Sequence, residues 1–262
     1  MRAIISFLTR IPIPVPAGKE PRIEEVAALS YLFPFAALVI ALPLTIIAVL
    51  LFRVNISPGI AALLTLLCLY FITGLMHLDG LADFFDGLMA GGNREQRIKA
   101  MKDEKIGIAG LFATFVILML NFIAIKEIVA HDFCYPVFII AELAAKLSMN
   151  TCMLVGKRFQ SESDTGWGIG ALFIKSCTLR GYLIALTCSL LLASIPLISR
   201  TYPLRVFSLF SLFIGVSVAI IISYIGGTKF GTVSGDVIGA SNEIARTAVL
   251  LIWSSQISGL ST

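Results

Sequence analysis

Three aspartates, Asp79, Asp83 and Asp86, stand at spacings of four and three in the stretch Thr73-Gly-Leu-Met-His-Leu-Asp-Gly-Leu-Ala-Asp-Phe-Phe-Asp-Gly87. On a helix those intervals place all three carboxylates on one face. Bare carboxylates that close repel one another, and a divalent cation would turn the repulsion into a binding site. Hard carboxylate oxygen suits Mg²⁺, with Mn²⁺ as the alternative. An acidic helix face in solvent, or a polar cap on a membrane span, has the same spacing. Spacing alone leaves these readings open.

A second acidic block lies far along the chain. Asp236 and Glu243 are seven apart in the glycine-rich run Gly226 to Glu243, again one face of a continuous helix. Residues 94–105 carry five cations, Arg94, Arg97, Lys99, Lys102 and Lys105, with Asp103 among them. Carboxylates for metal and cations for phosphate, set at glycine-rich turns, outline a phosphoryl-transfer site. His77, two residues before Asp79, reads as a base, a phosphate donor or an interfacial polar residue. Trp167, in Gly166-Trp-Gly-Ile-Gly170, reads as a stacking residue or an interfacial one. The chain has no Walker A, H-E-x-x-H or G-x-S-x-G pattern, which leaves an ATPase, a zincin and a serine hydrolase unsupported.

The elements that must position these residues are membrane helices. Hydrophobic residues make up 58% of the 262 positions and charged residues 14%. Apolar runs of span length recur, and the expected fold is all-α, a polytopic helical membrane protein of about seven spans. The expected spans are 26–52, 59–78, 107–125, 133–155, 181–199, 206–225 and 244–257, the second running straight into the aspartate motif. Glu142 and Lys146 stand four apart inside the fourth, a pair that can neutralise itself. No linker or repeat divides the chain, so residues 1–262 read as a single integral membrane catalytic domain. With the N-terminus inside, fourteen Lys/Arg fall on the cytoplasmic side and four on the other. That bias predicts a cytoplasmic N-terminus and puts both acidic blocks, residues 94–105 and the Gly166 loop at the cytoplasmic face of the cell membrane. The modest net charge of +4, with all the basic residues but Lys146 and Arg246 in segments between spans, points to the lipid bilayer and not to nucleic acid. Five cysteines without C-x-x-C pairing read as reduced, space-filling thiols. Monomer and homo-oligomer are both open.

The ordered motifs resemble one family. His77-Leu-Asp-Gly-Leu-Ala-Asp-Phe-Phe-Asp-Gly87, Met101-Lys-Asp103 and Ile106-Gly-Ile-Ala-Gly110 are similar to the signature of the cobalamin synthase family, adenosylcobinamide-GDP ribazoletransferases. Phe7-Leu-Thr-Arg-Ile-Pro-Ile-Pro14, Leu29 to Pro34, Gly168-Ile-Gly170 and Thr232 to Glu243 extend the resemblance nearly end to end. Departures are Phe84-Phe85, Arg246 and the loop before Gly168. The resemblance implies the last assembly step of the cobalamin nucleotide loop, in which α-ribazole or its 5′-phosphate attacks adenosylcobinamide-GDP and GMP leaves with Mg²⁺ assistance. It implies Asp79, Asp83, Asp86, Asp236 and Glu243 as metal and diphosphate residues. Asp83, Asp103, Lys102 and His77 are then expected to be catalytic, and Arg94, Arg97, Lys102, Gly168 and Gly170 to bind substrate. The rivals are a CDP-alcohol-type phosphotransferase, whose D-G-x-x-A-R element is unmatched after Gly80, and a cation transporter, which would distribute acids through its spans.

Overall fold

Among the described residues of the computed structural model, every regular element is a helix. Residues 1–14, 21–131, 135–160, 168–194 and 202–260 are described, which leaves Trp167 outside the described residues. The helices are α1 (Arg2–Leu8), α2 (Ile23–Ala28), α3 (Phe33–Arg53), α4 (Pro58–Thr73), α5 (Met76–Met89), α6 (Arg94–Met101), α7 (Ile108–Val129), α8 (Tyr135–Gly156), α9 (Gly168–Ser176), α10 (Leu179–Ser194), α11 (Tyr202–Lys229) and α12 (Gly235–Leu260).

Four stretches, containing α3, α7, α8 and α11, are long and apolar enough to cross a membrane. The count rises to six if α4 with α5, and α9 with α10, each form one span. Both of those pairs are bent by 90°. The last expected span is helical, as α12, but Asp236, Glu243 and Arg246 lie along it and it is not among the candidate spans. Large apolar side chains such as Leu67, Phe71, Phe112, Phe115, Phe213 and Ile221 are exposed on the outer helices. On a water-soluble protein so many would be a liability; facing hydrocarbon they are what the solvent demands. The chain is a multi-pass helical membrane protein.

The central helix is α8, with 89% of its span window buried. It packs against α3, α10, α11 and α12. Small residues allow this. Ala141, Ala144, Ala145 and Ser148 are buried on α8, and a Cβ added to Gly215 of α11 would stand 2.6 Å from the Ala144 carbonyl oxygen. In a bilayer, such close backbone approach replaces the hydrophobic drive that water supplies.

A buried charge network ties α12 to its neighbours. Arg246 donates from Nε to Glu142 Oε1 at 2.5 Å and from Nη1 to Glu243 Oε1 at 2.6 Å. Tyr70 of α4 donates to Glu243 Oε2 at 2.9 Å, and Lys146 donates to Asn242 at 2.7 Å. The expected Glu142–Lys146 pair is present but long, at 3.9 Å. Glu142's close partner is Arg246, on another helix. Two carboxylates and two cations thus cancel inside the bundle, as buried ions require.

The aspartate motif does not simply prolong α4. Gly74 closes α4 in the left-handed conformation at φ +70°, and Leu75 follows at φ +64°. Two successive left-handed residues turn the chain through 90°, so α5 leaves the line of α4 and presents its acidic face beside the bundle. Glycine suits the first position because it has no Cβ; Leu75 occupies the region at a cost of about 1–3 kcal/mol that the surrounding packing must meet. The Arg10 side chain fills the space beside Gly74, and Arg10 N–H donates to the Ile72 carbonyl at 2.7 Å.

Candidate active site

Close approach of α5 to α12 brings the two acidic blocks together. A Cβ on Gly80 would stand 3.0 Å from Asp236 Cα, and one on Gly239 would stand 3.3 Å from the His77 backbone. These glycines let the helix backbones nearly touch, which sets Asp79 and Asp83 beside Asp236. Asp79 is exposed, and Asp83 and Asp86 are half-buried. Partial burial, then Asp236, Asp79 and Asp86 in that order, push the Asp83 carboxyl up from 3.8 to about 7. Burial also raises Asp236, opposed by a hydrogen bond from Ser234, whose hydroxyl donates at 3.2 Å. Ser234 caps the start of α12, accepting from Val237 N–H at 3.4 Å.

Asp79 and Asp236 open onto a cavity of about 520 Å³. Lys102, at the C-cap of α6, reaches the same cavity and acts electrostatically on Asp236. Gly168 and Gly170, at the start of α9, line it too. The N-termini of α9 and α12 therefore meet at one place, which favours an anion. Gly170 is needed for that meeting, since a Cβ there would fall 2.2 Å from the Gly235 nitrogen. Gly170→Ala is expected to separate α9 from α12 and to destabilise the protein by about 1–3 kcal/mol. Thermal unfolding together with ligand affinity measures this, and an unchanged melting temperature would refute the packing.

The remaining predicted residues divide. His77 lines the cavity at 3% exposure, and neither ring nitrogen has a hydrogen-bond partner. A buried imidazole without partners beside a cavity suits a group that meets a ligand. Asp86 is otherwise engaged: Oδ2 accepts from Gly107 N–H at 2.7 Å and Oδ1 from Gly110 N–H at 2.8 Å. It caps α7 from a neighbouring helix, which explains why the acidic motif and Ile106-Gly-Ile-Ala-Gly110 work as a unit. Glu243 does not join the aspartates. It lies two turns beyond Asp236, about 10 Å along the axis, and Arg246, Asn242 and Tyr70 hold it. Arg94 donates to the Phe230 carbonyl and Arg97 to the Leu88 carbonyl, the latter at 2.5 Å. Arg94 thus braces the turn after α11 and Arg97 the last turn of α5, and neither lines the cavity. Asp103 is exposed and accepts from Lys105 N–H at 3.0 Å, a local turn contact outside the cavity. Of the expected phosphate cations, Lys102 is the one on the cavity wall.

Sequence patterns did not reveal the rest of that wall. Phe7, Met76, Met149, Met153, Phe173 and Ile238 supply its apolar part. Met149 and Met153 are four apart on α8, inside an apolar run in which nothing marks them out. Arg246 had a usable signal: an arginine three residues from a glutamate in an apolar helix implies buried partners.

Comparison with known proteins gives the family. The chain matches the cobalamin-5-phosphate synthase family over residues 1–254. It belongs to that family. Relatives named adenosylcobinamide-GDP ribazoletransferase include one from Methanocella arvoryzae, 35% identical over 95% of this chain and 93% of its own. Another, from Pyrococcus abyssi, is 36% identical over 97% of both chains. A third, from Pyrococcus furiosus, is 37% identical over 96% of this chain and 98% of its own. No solved structure matches. Within the family framework, the cavity between α5, α6, α9 and α12 is the candidate active site.

A divalent cation can be tested against these donors. Among the described residues, no group of three His, Cys, Asp or Glu side chains is arranged to hold an ion. Mg²⁺ is ordinarily bound through one or two carboxylates with substrate phosphates and water completing its shell. Asp79, Asp83 and Asp236 supply hard oxygen donors under mutual repulsion, so the donor set fits an ion that arrives with a diphosphate. It does not fit a five-carboxylate cage.

Proposed function

We propose that this chain is an adenosylcobinamide-GDP ribazoletransferase. It joins the adenosylcobinamide phosphate to α-ribazole or α-ribazole 5′-phosphate and releases GMP, completing the nucleotide loop of cobalamin. The observation that carries this reading is the convergence of Asp79, Asp236, Lys102 and two helix N-termini on one cavity, in a chain related end to end to enzymes of that name.

The residues divide the work. Lys102 and the N-terminal amides of α9 and α12 attract the diphosphate and orient it. Asp79 and Asp236, with Asp83 beside them, would offer carboxylate oxygen to Mg²⁺, with Mn²⁺ as a substitute, and that ion would neutralise charge on the diphosphate and on departing GMP. A ribose hydroxyl oxygen of the acceptor attacks the cobinamide-side phosphorus. The new P–O bond forms as the bond to GMP breaks, and GMP leaves with the electron pair. His77, a residue of the cavity wall whose buried ring nitrogens have no hydrogen-bond partner, would take the hydroxyl proton. The glycine-lined wall admits backbone close to the phosphates. The excess of Lys/Arg in the segments flanking the cavity supports a cytoplasmic active site in the cell membrane.

Purified protein in detergent, given adenosylcobinamide-GDP, α-ribazole and Mg²⁺, is expected to release GMP. Folded protein that releases none with either Mg²⁺ or Mn²⁺ would sink the reading. A transporter reading finds little support, because Glu142 at membrane depth is bonded to Arg246.

A further inference from the structure

The helices α1, α8 and α9 supply the cavity with apolar side chains and glycine alone, and its charged groups come from elsewhere. Asp79, Lys102 and Asp236 come from α5, α6 and α12, whereas Phe7, Met149, Met153 and Phe173 come from α1, α8 and α9. Met149 and Met153 are almost fully buried, with Met149 at 3% and Met153 at 1% exposure. Phe7 is half-buried and lies in a stacked arrangement on Phe173, ring centroids 5.0 Å apart. The arrangement is an aromatic platform with two adaptable thioether side chains beside it. Such surfaces accept flat rings, through stacking and sulfur–ring contact.

We propose that the wall formed by Phe7, Met149, Met153 and Phe173 is the subsite for the aromatic base of the nucleoside acceptor. This rests on the reaction proposed above. Two flat bases compete for it, the guanine of the donor and the benzimidazole of α-ribazole. Guanine carries a carbonyl oxygen, a ring N–H and an exocyclic amine, and burying those without partners is costly. The apolar wall offers them only weak sulfur acceptors. Benzimidazole has no exocyclic polar group and a single free ring nitrogen, an acceptor, so it loses much less there than guanine. The cavity's volume, about 520 Å³, suits a nucleoside with a diphosphate and leaves the much larger corrinoid outside. With its base on this wall, the acceptor's ribose would face His77 and the acidic side. Guanosine would then lie toward the exposed side of Asp79.

The test uses the full chain and two variants of opposite effect, Met149→Trp to fill the subsite and Met153→Ala to enlarge it. Met149→Trp is expected to raise KM for α-ribazole at least about tenfold, and to leave KM for adenosylcobinamide-GDP within about twofold. Met153→Ala is expected to shift selectivity about tenfold toward ribosides of bulkier substituted benzimidazoles, which also covers a tryptophan variant that fails to fold. Variants that raise the donor KM instead would place guanine on this wall and overturn the proposal. So would unchanged values for both substrates. Direct binding of α-ribazole to the protein separates the two readings. Binding by wild type that Met149→Trp abolishes, without any GMP release, would keep the subsite and discard the reaction. GMP release with unaltered acceptor kinetics in both variants would do the reverse.

Discussion

Asp83→Asn is expected to reduce GMP release by about 10²–10³-fold or more, the loss seen when one preorganised charged or polar group is removed from a transition state. The protein should still fold, because Asp83 is half-buried among like charges and no tertiary contact depends on its ionisation. Retained turnover would remove it from the site. The same variant has a signature in pH that does not require turnover. Wild-type Asp83 is held at about 7 against 3.8 for a free side chain, chiefly by partial burial and then by Asp236, Asp79 and Asp86. Between those values the folded chain binds more protons at this position than the unfolded chain, so its contribution to stability falls as pH rises through the window. The melting temperature without divalent cation should therefore drop between about pH 4 and about pH 7, and the drop should be smaller in Asp83→Asn. Added Mg²⁺ should stabilise wild type more at the upper end, where the carboxylate is ionised. Identical pH slopes for the two proteins would show that the aspartates do not interact as the geometry requires.

Arg246→Met is expected to be the most destabilising single change in the bundle, at about 3–5 kcal/mol. It leaves Glu142 and Glu243 buried at 1% exposure each without the guanidinium that bonds both. Lys146 does not compensate, since its ammonium is 3.9 Å from Glu142 and is hydrogen-bonded to Asn242. Arg246→Lys should recover only part of the loss, because one ammonium cannot reproduce a planar fork between two carboxylates. Adding Glu142→Gln and Glu243→Gln to Arg246→Met should restore much of the stability, as the uncompensated charges disappear. Melting temperatures in detergent decide the matter. A wild-type-like Arg246→Met would mean that the buried ions are not the clamp on α12. Because α12 carries Asp236 at its opening turn, loosening that clamp should lower activity even where Asp236 itself is intact.

The extent to which this was legible from residues alone follows the range of each interaction. Helical class and membrane residence are local properties of apolar runs, and the amino acids state them directly. The placement of Asp79, Asp83 and Asp86 on one face follows from helical period, and the ordered motifs specify the family. Where a carboxylate ends is a different matter. Asp86 shares a face with Asp83, yet the backbone of Gly107 and Gly110 claims it. Glu243 shares a face with Asp236, yet two turns of helix and the arrival of Arg246 and Tyr70 assign it to the bundle interior. Arg94 and Arg97 look like phosphate ligands in a list of cations and serve in space to brace the ends of α11 and α5.

The three aspartates of the opening motif thus have two fates. Their types and spacing, readable without coordinates, determined that a cluster of acid would form on α5 and that it would stand at a membrane helix's edge, while the resemblance of the ordered motifs pointed to the family. Tertiary structure alone decided the rest. The left-handed pair Gly74 and Leu75 turned α5 aside, Gly80 and Gly239 let α12 approach, and Asp236 joined Asp79 and Asp83. The physical reason is that periodicity places side chains on a face, whereas a buried or crowded charge takes its role from whichever donor reaches it first. Only packing determines that donor.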